Sequence, residues 1–319
     1  MRLLLSRGVK PMLLAGLATF AFAVNADAAK SPAAARAGSP PVPLMWKVSD
    51  ADNSVYLLGS FHMLKPEDYP LSRDVDAAFA DAESLVFEMA PAEMSSPELG
   101  MQMTQAGLRA DGTRLDSELS APTGAMLSAW LTANGLTQDV MQMFDPWYVG
   151  LMITVTEMTK LGLDPKLGLD AHLAALATEA GKPTAGLETG AQQIAFLDGM
   201  SKDEQLQFLA EALSESKDAK EETAKLHAAW RAGKADVLWQ DMAAQMKKEY
   251  PDLYKRINVE RNDTWVPKIE KHLTQSAKDD TLVVVGALHL LGPDGVVEKL
   301  RAKGYTVERI CSACAKIGK

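Results

Sequence analysis

Two histidines occupy matched positions near opposite ends of the chain. His62 follows Gly59 by three residues, and His289 follows Gly286 by the same interval. In both places the glycine ends a short apolar run and permits a tight turn. Imidazole nitrogens bind divalent metals and exchange protons near neutral pH. Two such turns on one edge of a sheet would therefore form a metal site or an acid–base site.

The elements around each histidine determine whether the two turns meet. Runs of apolar residues at 55–58 and 282–285 predict buried strands. A helix-compatible stretch and a second strand-like run follow each histidine, at 84–87 and 305–310. This order predicts parallel strands, and ligands bind at the carboxyl ends of such strands. The predicted fold is α/β, of the mixed α+β kind: N- and C-terminal βαβ units build one sheet, with a large helical insertion at about 95–275.

Three charged residues stand where they can join the histidines. Glu88 ends the strand-like run after His62, and Glu188 ends a short strand-like segment in the helical middle. A buried carboxylate needs a cation or hydrogen-bond donors as partners. Arg261, at the start of a predicted helix, can clamp a carboxylate or polarise a substrate carbonyl. We predict as metal ligands His62, His289 and Glu88, and as catalytic residues Glu88, Glu188 and Arg261.

Each residue also has a structural interpretation. One glycine–histidine spacing has little specificity, and a strand-end carboxylate such as Glu88 is common at helix caps and in salt bridges. Asp170 and His172 form either a second site or a helix start, and we interpret Asp170 as the start. His227 and His272 lie in charged helical sequence, which predicts that solvent surrounds them. The chain contains no HExxH, GxSxG or P-loop motif.

The N-terminal sequence predicts export. Three basic residues precede an apolar segment at 12–24, and small residues at 26–28 offer a cleavage site. We therefore predict a signal peptide at 1–28, a flexible linker at 29–43 and a single domain at 44–319, in the periplasm or outside the cell. Cleavage changes the formal charge from −9 to −11, which disfavours a nucleic-acid partner. The mature sequence predicts no integral membrane segment.

The helical middle is rich in methionine, and the tail carries two cysteines. Leu238, Met242 and Met246 recur at helical spacing, which predicts core packing more strongly than an adaptable ligand groove. Cys311 and Cys314 are the two cysteines of the chain. In an exported protein their spacing predicts a small disulfide, in preference to a thioredoxin-like redox pair or a zinc site.

Taken in order, the motifs resemble those of the TraB/GumN family, whose animal relatives include the TIKI proteases that cleave Wnt ligands. The resemblance implies that the two histidine motifs form a divalent-metal site, which the TIKI branch uses for hydrolysis. The wider superfamily is similar to erythromycin esterases and to haem-binding ChaN-like proteins. The resemblance covers about residues 44–310 and rests on 55–62, Glu88, 145–147, 168–172, 186–189, 260–262 and 285–289.

Three hypotheses follow. The first is an exported metal-dependent hydrolase of peptides, whose histidine and carboxylate ligands would suit Mn, Co or Zn. In a metal-free variant, a His–Glu pair would act as general base and Arg261 as electrophile. The second is a periplasmic binding protein for haem or another small ligand. The third is an interaction module with a vestigial site. The expected partner is a peptide or small-molecule substrate.

Overall fold

One six-stranded sheet organises the part of the chain that the structure describes. The structure, a computed structural model, describes residues 39–275 and 278–314. Its strands are β1 (Met45–Ser49), β2 (Ser54–Ser60), β3 (Ser84–Met89), β4 (Thr184–Glu188), β5 (Thr281–Gly286) and β6 (Thr306–Ile310). Across the sheet the order is β4-β3-β5-β2-β1-β6. The predicted mixed α/β fold is confirmed.

Most helices lie in the long connection between β3 and β5, where β4 interrupts them. The α-helices are α1 (Arg73–Asp81), α2 (Pro91–Met94), α3 (Pro97–Ala106), α4 (Ala121–Ala133), α5 (Gln138–Met141), α6 (Pro146–Lys160), α7 (Leu169–Ala180), α8 (Gly190–Asp198), α9 (Lys202–Arg231), α10 (Ala235–Leu238), α11 (Gln245–Glu249), α12 (Pro251–Tyr254), α13 (Glu260–Gln275), α14 (Ala287–Leu290) and α15 (Val296–Ala302). Short 3-10 helices occur at Pro66–Asp68, Leu115–Ser117 and Pro165–Leu167. Two π-helical segments, Trp239–Ala244 and Lys255–Val259, connect α10 to α11 and α12 to α13.

Strand β5 lies between β2 and β3, and it is parallel to both. Its register pairs Gly59 with Val285 and Ser60 with Gly286, so β2 and β5 end at the same edge. Strand β1 is antiparallel to β2 and β6, and β6 therefore runs in the direction of β2 and β5. The return of the chain to the centre of the sheet places the two histidine turns next to each other.

The strands that carry the histidines form the centre of the core. Every residue of β2 and β5 is buried, as expected for central parallel strands. A second apolar cluster lies in the helical insertion, where α6 packs along α9. Helix α9 begins with a capping box, in which Ser201 N donates to Glu204 Oε2 at 2.6 Å and Glu204 N donates to Ser201 Oγ at 3.3 Å.

The chain termini differ in part from the sequence expectations. The predicted signal peptide at 1–28 lies outside the described residues, as does most of the predicted linker. The predicted flexible linker at 29–43 is wrong for 41–43, because Pro41 and Pro43 are buried and Val42 N donates to the carbonyl oxygen of Arg231 at 2.7 Å. Among the described helices, none has the length and apolarity that a membrane crossing requires. A disulfide joins Cys311 to Cys314.

The prediction of a solvated His227 is wrong. Its side chain is buried, and its Nε2 atom lies 2.8 Å from Oδ2 of Asp68, which has no exposed surface. Arg231 donates to the other oxygen of that carboxylate. The His227 ring also lies 5.8 Å from the ring of Phe61, centroid to centroid. His272 is half-buried, with Nδ1 lying 3.4 Å from Thr281 Oγ1. Tertiary packing overrode the charged local sequence at both positions.

Candidate functional site

His62 lies just beyond β2, and the start of α7 holds its ring. The Nδ1–H group of His62 donates to Asp170 Oδ2 at 2.8 Å, and the Ser60 hydroxyl donates to the same oxygen. Gly168 permits this approach, because a Cβ atom there would overlap the carbonyl oxygen of His62. The ring therefore presents Nε2 to the interior, where this buried atom has no hydrogen-bond partner among the described residues.

His289 lies in α14, directly after β5, and the first turns of α13 hold its ring. Its Nδ1–H group donates to Asn262 Oδ1 at 2.7 Å. The Asn262 amide is oriented in turn, because its Nδ2 donates to the carbonyl oxygen of Asp294 at 2.9 Å. The imidazole packs against Trp265 with 4.4 Å between ring centroids. Nε2 is the acceptor nitrogen of this tautomer, and Arg261 Nη1 donates to it at 3.1 Å.

Glu88 stands between the two histidines. Its Oε1 atom lies 3.8 Å from His62 Nε2 and 3.9 Å from His289 Nε2, and it accepts from Gly286 N at 2.7 Å. A Cβ atom on Gly286 would lie 3.0 Å from His62 Nε2 and 3.1 Å from Glu88 Oε1. The glycine therefore keeps the space between the three donor atoms open.

The spacing of these donor atoms is close to that of a metal site. A tetrahedral ion with bonds of about 2.1 Å holds its ligand atoms about 3.4 Å apart, slightly closer than the distances from Glu88 Oε1. In 39–275 and 278–314, no group of three or more His, Cys, Asp or Glu side chains has metal-binding geometry as it stands. Metal binding would thus need a contraction of the three side chains and the displacement of Arg261 Nη1 from His289 Nε2.

Arg261 crosses the middle of the site. Its Nη2 atom donates to Glu88 Oε2 at 2.6 Å and to Glu188 Oε1 at 2.5 Å, and its Nε atom lies 3.1 and 3.2 Å from the two Glu188 oxygens. Gln193 and Trp265 also donate to Glu188, at 2.8 and 3.1 Å. The Trp265 ring lies 4.7 Å from the guanidinium carbon. The guanidinium is therefore fixed by two carboxylates and a stacked ring.

Three buried carboxylates face one permanent cation. Glu88, Glu188 and Asp170 are each at most 6% exposed. Among the described lysines and arginines, Arg261 is the one whose side chain bonds to any of them. Burial disfavours the charged form of His62, but the Asp170 carboxylate outweighs it and raises the pKa of His62 to about 9. The raised pKa reflects an excess of negative charge.

The pKa values of the other two donor groups, His289 and Glu88, are both lowered. Burial and the neighbouring Arg261 guanidinium lower the pKa of His289 to about 3, so its ring is neutral. Burial alone would raise the pKa of Glu88, but Arg261 and the two imidazoles lower it to about 2. Near neutral pH the site therefore contains an ionised Glu88, a neutral His289 and, without a metal, a protonated His62.

Comparisons with known proteins identify the family of the chain. The chain matches the TraB/PrgY/gumN family over residues 44–309, which include every residue of the site. It belongs to the TraB/PrgY/gumN family. Among curated proteins, it is similar to the uncharacterized protein YbaP of Escherichia coli strain K12 and to YbaP of Shigella flexneri. Each is 23% identical over 249 residues, covering 77% of this chain and 87% of the relative. No solved structure matches the chain.

An apolar pocket opens onto the site of this TraB/PrgY/gumN protein. His62, Arg261 and His289 contribute to its lining. The prediction that Met242 and Met246 are core residues is confirmed, and they also face this pocket. The rest of the apolar wall comes mainly from Leu238, Ile257 and Leu288.

The structure brings all five predicted site residues into one network. Two sequence signals located the histidines and glutamates at this edge of the sheet: the spacing from glycine to histidine for His62 and His289, and the strand-end position for Glu88 and Glu188. Arg261 was located by its position at the start of a predicted helix, which is α13. Their assignment as metal ligands and catalytic groups stays a prediction.

Sequence reasoning missed the residues that support this network. Asp170 does lie in the first turn of α7, as predicted, but its carboxylate also binds His62. Its neighbour His172 lies outside the site and packs on Tyr69, with 4.5 Å between ring centroids. For Asn262 the one available signal was its position beside Arg261 in the same helix turn. Contacts of this kind depend on how a helix is rotated against the sheet, which periodicity does not specify.

Proposed function

We propose that this protein is an exported metal-dependent hydrolase that cleaves peptide bonds or similar amide bonds. One observation carries the proposal: His62 Nε2 and His289 Nε2 both lie within 3.9 Å of Glu88 Oε1. Both Nδ1 atoms are anchored, one by Asp170 and the other by Asn262. Metal-binding histidines almost always have their second nitrogen held in this way.

The charge balance of the site supports a divalent cation. With both imidazoles neutral, the three buried carboxylates and Arg261 leave a net excess of two negative charges. Uncompensated buried charge is costly, and a divalent ion would cancel this excess. The lowered pKa of His289 keeps that ring in the neutral form that a ligand needs, whereas His62 would lose its proton on binding.

Each residue then has a distinct part in the reaction. His62, His289 and Glu88 would hold the ion, and Mn, Co and Zn all accept these donor atoms. When bound, the ion supplies a water of lowered pKa and polarises the scissile carbonyl. Arg261 lines the pocket, and its Nη1–H group, which donates to His289 Nε2 in the structure, would be free to stabilise negative charge on a carbonyl oxygen when the ion takes that nitrogen. Glu188 positions Arg261.

The alternatives have weaker support. Haem binding through these histidines would place a porphyrin beside a charged network, whereas the charged surroundings of both rings suit a small cation better. A metal-free hydrolase would use neutral His289 as its base, but it would leave the excess of negative charge on the buried carboxylates without a counterion. The proposal of export rests on the basic and apolar segments within residues 1–28.

The decisive experiment is the metal content of the purified protein, measured by mass spectrometry after incubation with Mn, Co or Zn and gel filtration. We expect near-stoichiometric metal in the wild type, and none in a His62→Ala/His289→Ala variant. A His172→Ala/His272→Ala variant should keep its metal, because neither ring contacts the site. The metal-loaded protein should then cleave members of a peptide library. Absence of metal from the wild type with all three ions would overturn the proposal.

A further inference from the structure

The side-chain amide of Asn258 contains a buried donor atom, Nδ2, whose hydrogen bonds are incomplete among the described residues. Asn258 lies in the π-helical segment Lys255–Val259, lines the pocket and is 5% exposed. Its Oδ1 atom accepts from Asn262 Nδ2 at 3.4 Å, and Asn262 is itself oriented by His289. The Asn258 amide is therefore oriented as well, and its Nδ2 atom has no hydrogen-bond partner of normal geometry among the described residues.

The nearby Tyr254 hydroxyl does not satisfy both hydrogens of the Asn258 amide nitrogen. Burial raises the pKa of Tyr254 and the Asn258 amide partly opposes that effect, so the two groups are close. The hydroxyl donates to Asp294 Oδ2 at 3.1 Å, and its oxygen can accept one of the two hydrogens of Asn258 Nδ2, which leaves the second hydrogen without an acceptor among the described residues. A buried donor without a partner is costly and rare, and it calls for a water or a ligand as its acceptor.

The pocket wall next to Asn258 specifies what kind of ligand fits. Leu238, Met242, Met246, Ile257 and Leu288 form this wall, and an ionic group placed among them would lose its hydration without gaining a partner. Methionine side chains adapt to apolar groups of different shape. The ligand should therefore combine an apolar group with an oxygen acceptor.

Both π-helical segments contribute to this pocket. Met242 and Ala243 come from Trp239–Ala244, and Ile257 and Asn258 come from Lys255–Val259. A π-helical turn widens the helix locally, and such turns are frequent at functional sites. Here each segment aims side chains at the space in front of His62 and His289.

We infer that Asn258 is a substrate-binding residue whose Nδ2 donates to a carbonyl oxygen of a peptide or amide, while the adjoining side chain of that substrate, leucine- or methionine-sized, occupies the apolar pocket. This inference rests on the proposed function, because it assigns the substrate class of the same site. It makes the enzyme selective for apolar residues beside the bond that is cleaved.

The test is equilibrium binding to protein freed of metal with a chelator, followed by ligand-observed NMR. The probe is N-acetyl-L-leucinamide; N-acetyl-L-asparaginamide, similar in size but polar, is its control. Two variants separate the roles of the amide. Asn258→Leu removes both polar atoms of the side chain. Asn258→Asp keeps an oxygen that accepts from Asn262 Nδ2, but it replaces the Nδ2 donor with a second oxygen.

We expect the leucinamide to bind the wild type at least about tenfold more tightly than the asparaginamide, and both variants to lose about tenfold in affinity for it. Asn258→Leu should also raise the unfolding midpoint by about 2 °C, because it removes an unpaired buried donor. Undetectable leucinamide binding to the wild type at the solubility limit would overturn the inference. So would an Asn258→Asp variant that binds as the wild type does, or an Asn258→Leu variant with a lowered midpoint.

The binding test and the metal test can fail separately. Leucinamide binding that depends on Asn258, in a protein that takes up no metal, would overturn the proposed function and leave the binding role standing. Metal-dependent peptide cleavage with an unchanged KM in Asn258→Asp would support the proposed function and overturn the binding role of Asn258.

Discussion

The carboxylate of Asp170 and the ring of His62 meet at 2.8 Å across 108 residues of sequence, through Oδ2 and Nδ1. This contact fixes the ring so that Nε2 faces Glu88. Replacing Asp170 by alanine should therefore lower metal affinity about 10- to 100-fold. A competitive titration against a chelating dye measures the affinity. His172→Ala is the matched control on the same helix, and equal losses in the two variants would contradict the role of Asp170.

Gly286→Ala should abolish metal uptake with a modest effect on stability. The new Cβ atom would lie 3.0 Å from His62 Nε2 and 3.1 Å from Glu88 Oε1, within the space that the ion needs. The overpacking should cost about 1–3 kcal/mol of unfolding free energy. Metal content and urea denaturation together separate the two effects. Gly100→Ala is the control, because nothing lies within 4 Å of its added Cβ atom. Full metal uptake by Gly286→Ala would show that the ion binds elsewhere.

Arg261→Met should destabilise the protein by about 3–5 kcal/mol, because it leaves Glu88 and Glu188 buried without their cation. Adding Glu188→Gln to that variant should recover part of the loss, since one unpaired charge is removed. Denaturant unfolding of the single and double variants measures both effects. Arg301→Met is the matched control: Arg301 pairs with Glu298 at the surface, so we expect a loss below about 1 kcal/mol. Similar losses at the two arginines would contradict the network.

The contact of Asp68 with His227 should make stability depend on acid pH. Burial alone would raise the pKa of Asp68, but the bonds from His227, Lys65 N and Arg231 outweigh burial and lower it. Since the folded pKa is below the unfolded value of about 3.9, the contribution is complete above that value and disappears as pH falls through the folded pKa. Urea denaturation between pH 3 and 7 should therefore show a steeper acid limb for the wild type than for Asp68→Asn. If the unfolding free energies of the two proteins fell equally steeply with pH, the result would contradict the role of Asp68.

Much of the site was predictable because its residues sit where strands end. A buried parallel strand is recognisable from a continuous apolar run, and polar residues directly after it lie at the ligand-binding edge. His62, His289 and Glu88 all follow this rule, and Glu188 does so at the end of β4. Arg261 was predictable as a partner, since two buried carboxylates need a cation.

The supporting contacts were not predictable, because each joins elements that are far apart in sequence. Asp170 reaches His62 through the docking of α7, and His227 reaches Asp68 across 159 residues. The order of the strands depends on where the last third of the chain returns. Sequence periodicity shows which face of an element is apolar, but it carries no information about the element on which that face packs.

The position of β5 has a consequence for how this protein comes into being. The strand that completes the middle of the sheet is Thr281–Gly286, and it reaches β2 and β3 after the whole helical insertion has been synthesised. Contacts of such long range form late and slowly. A nascent or truncated chain that ends before Gly286 therefore lacks both His289 and the backbone donor to Glu88. We therefore expect the site to form only after the segment from Thr281 to His289 has been synthesised and has paired with β2 and β3.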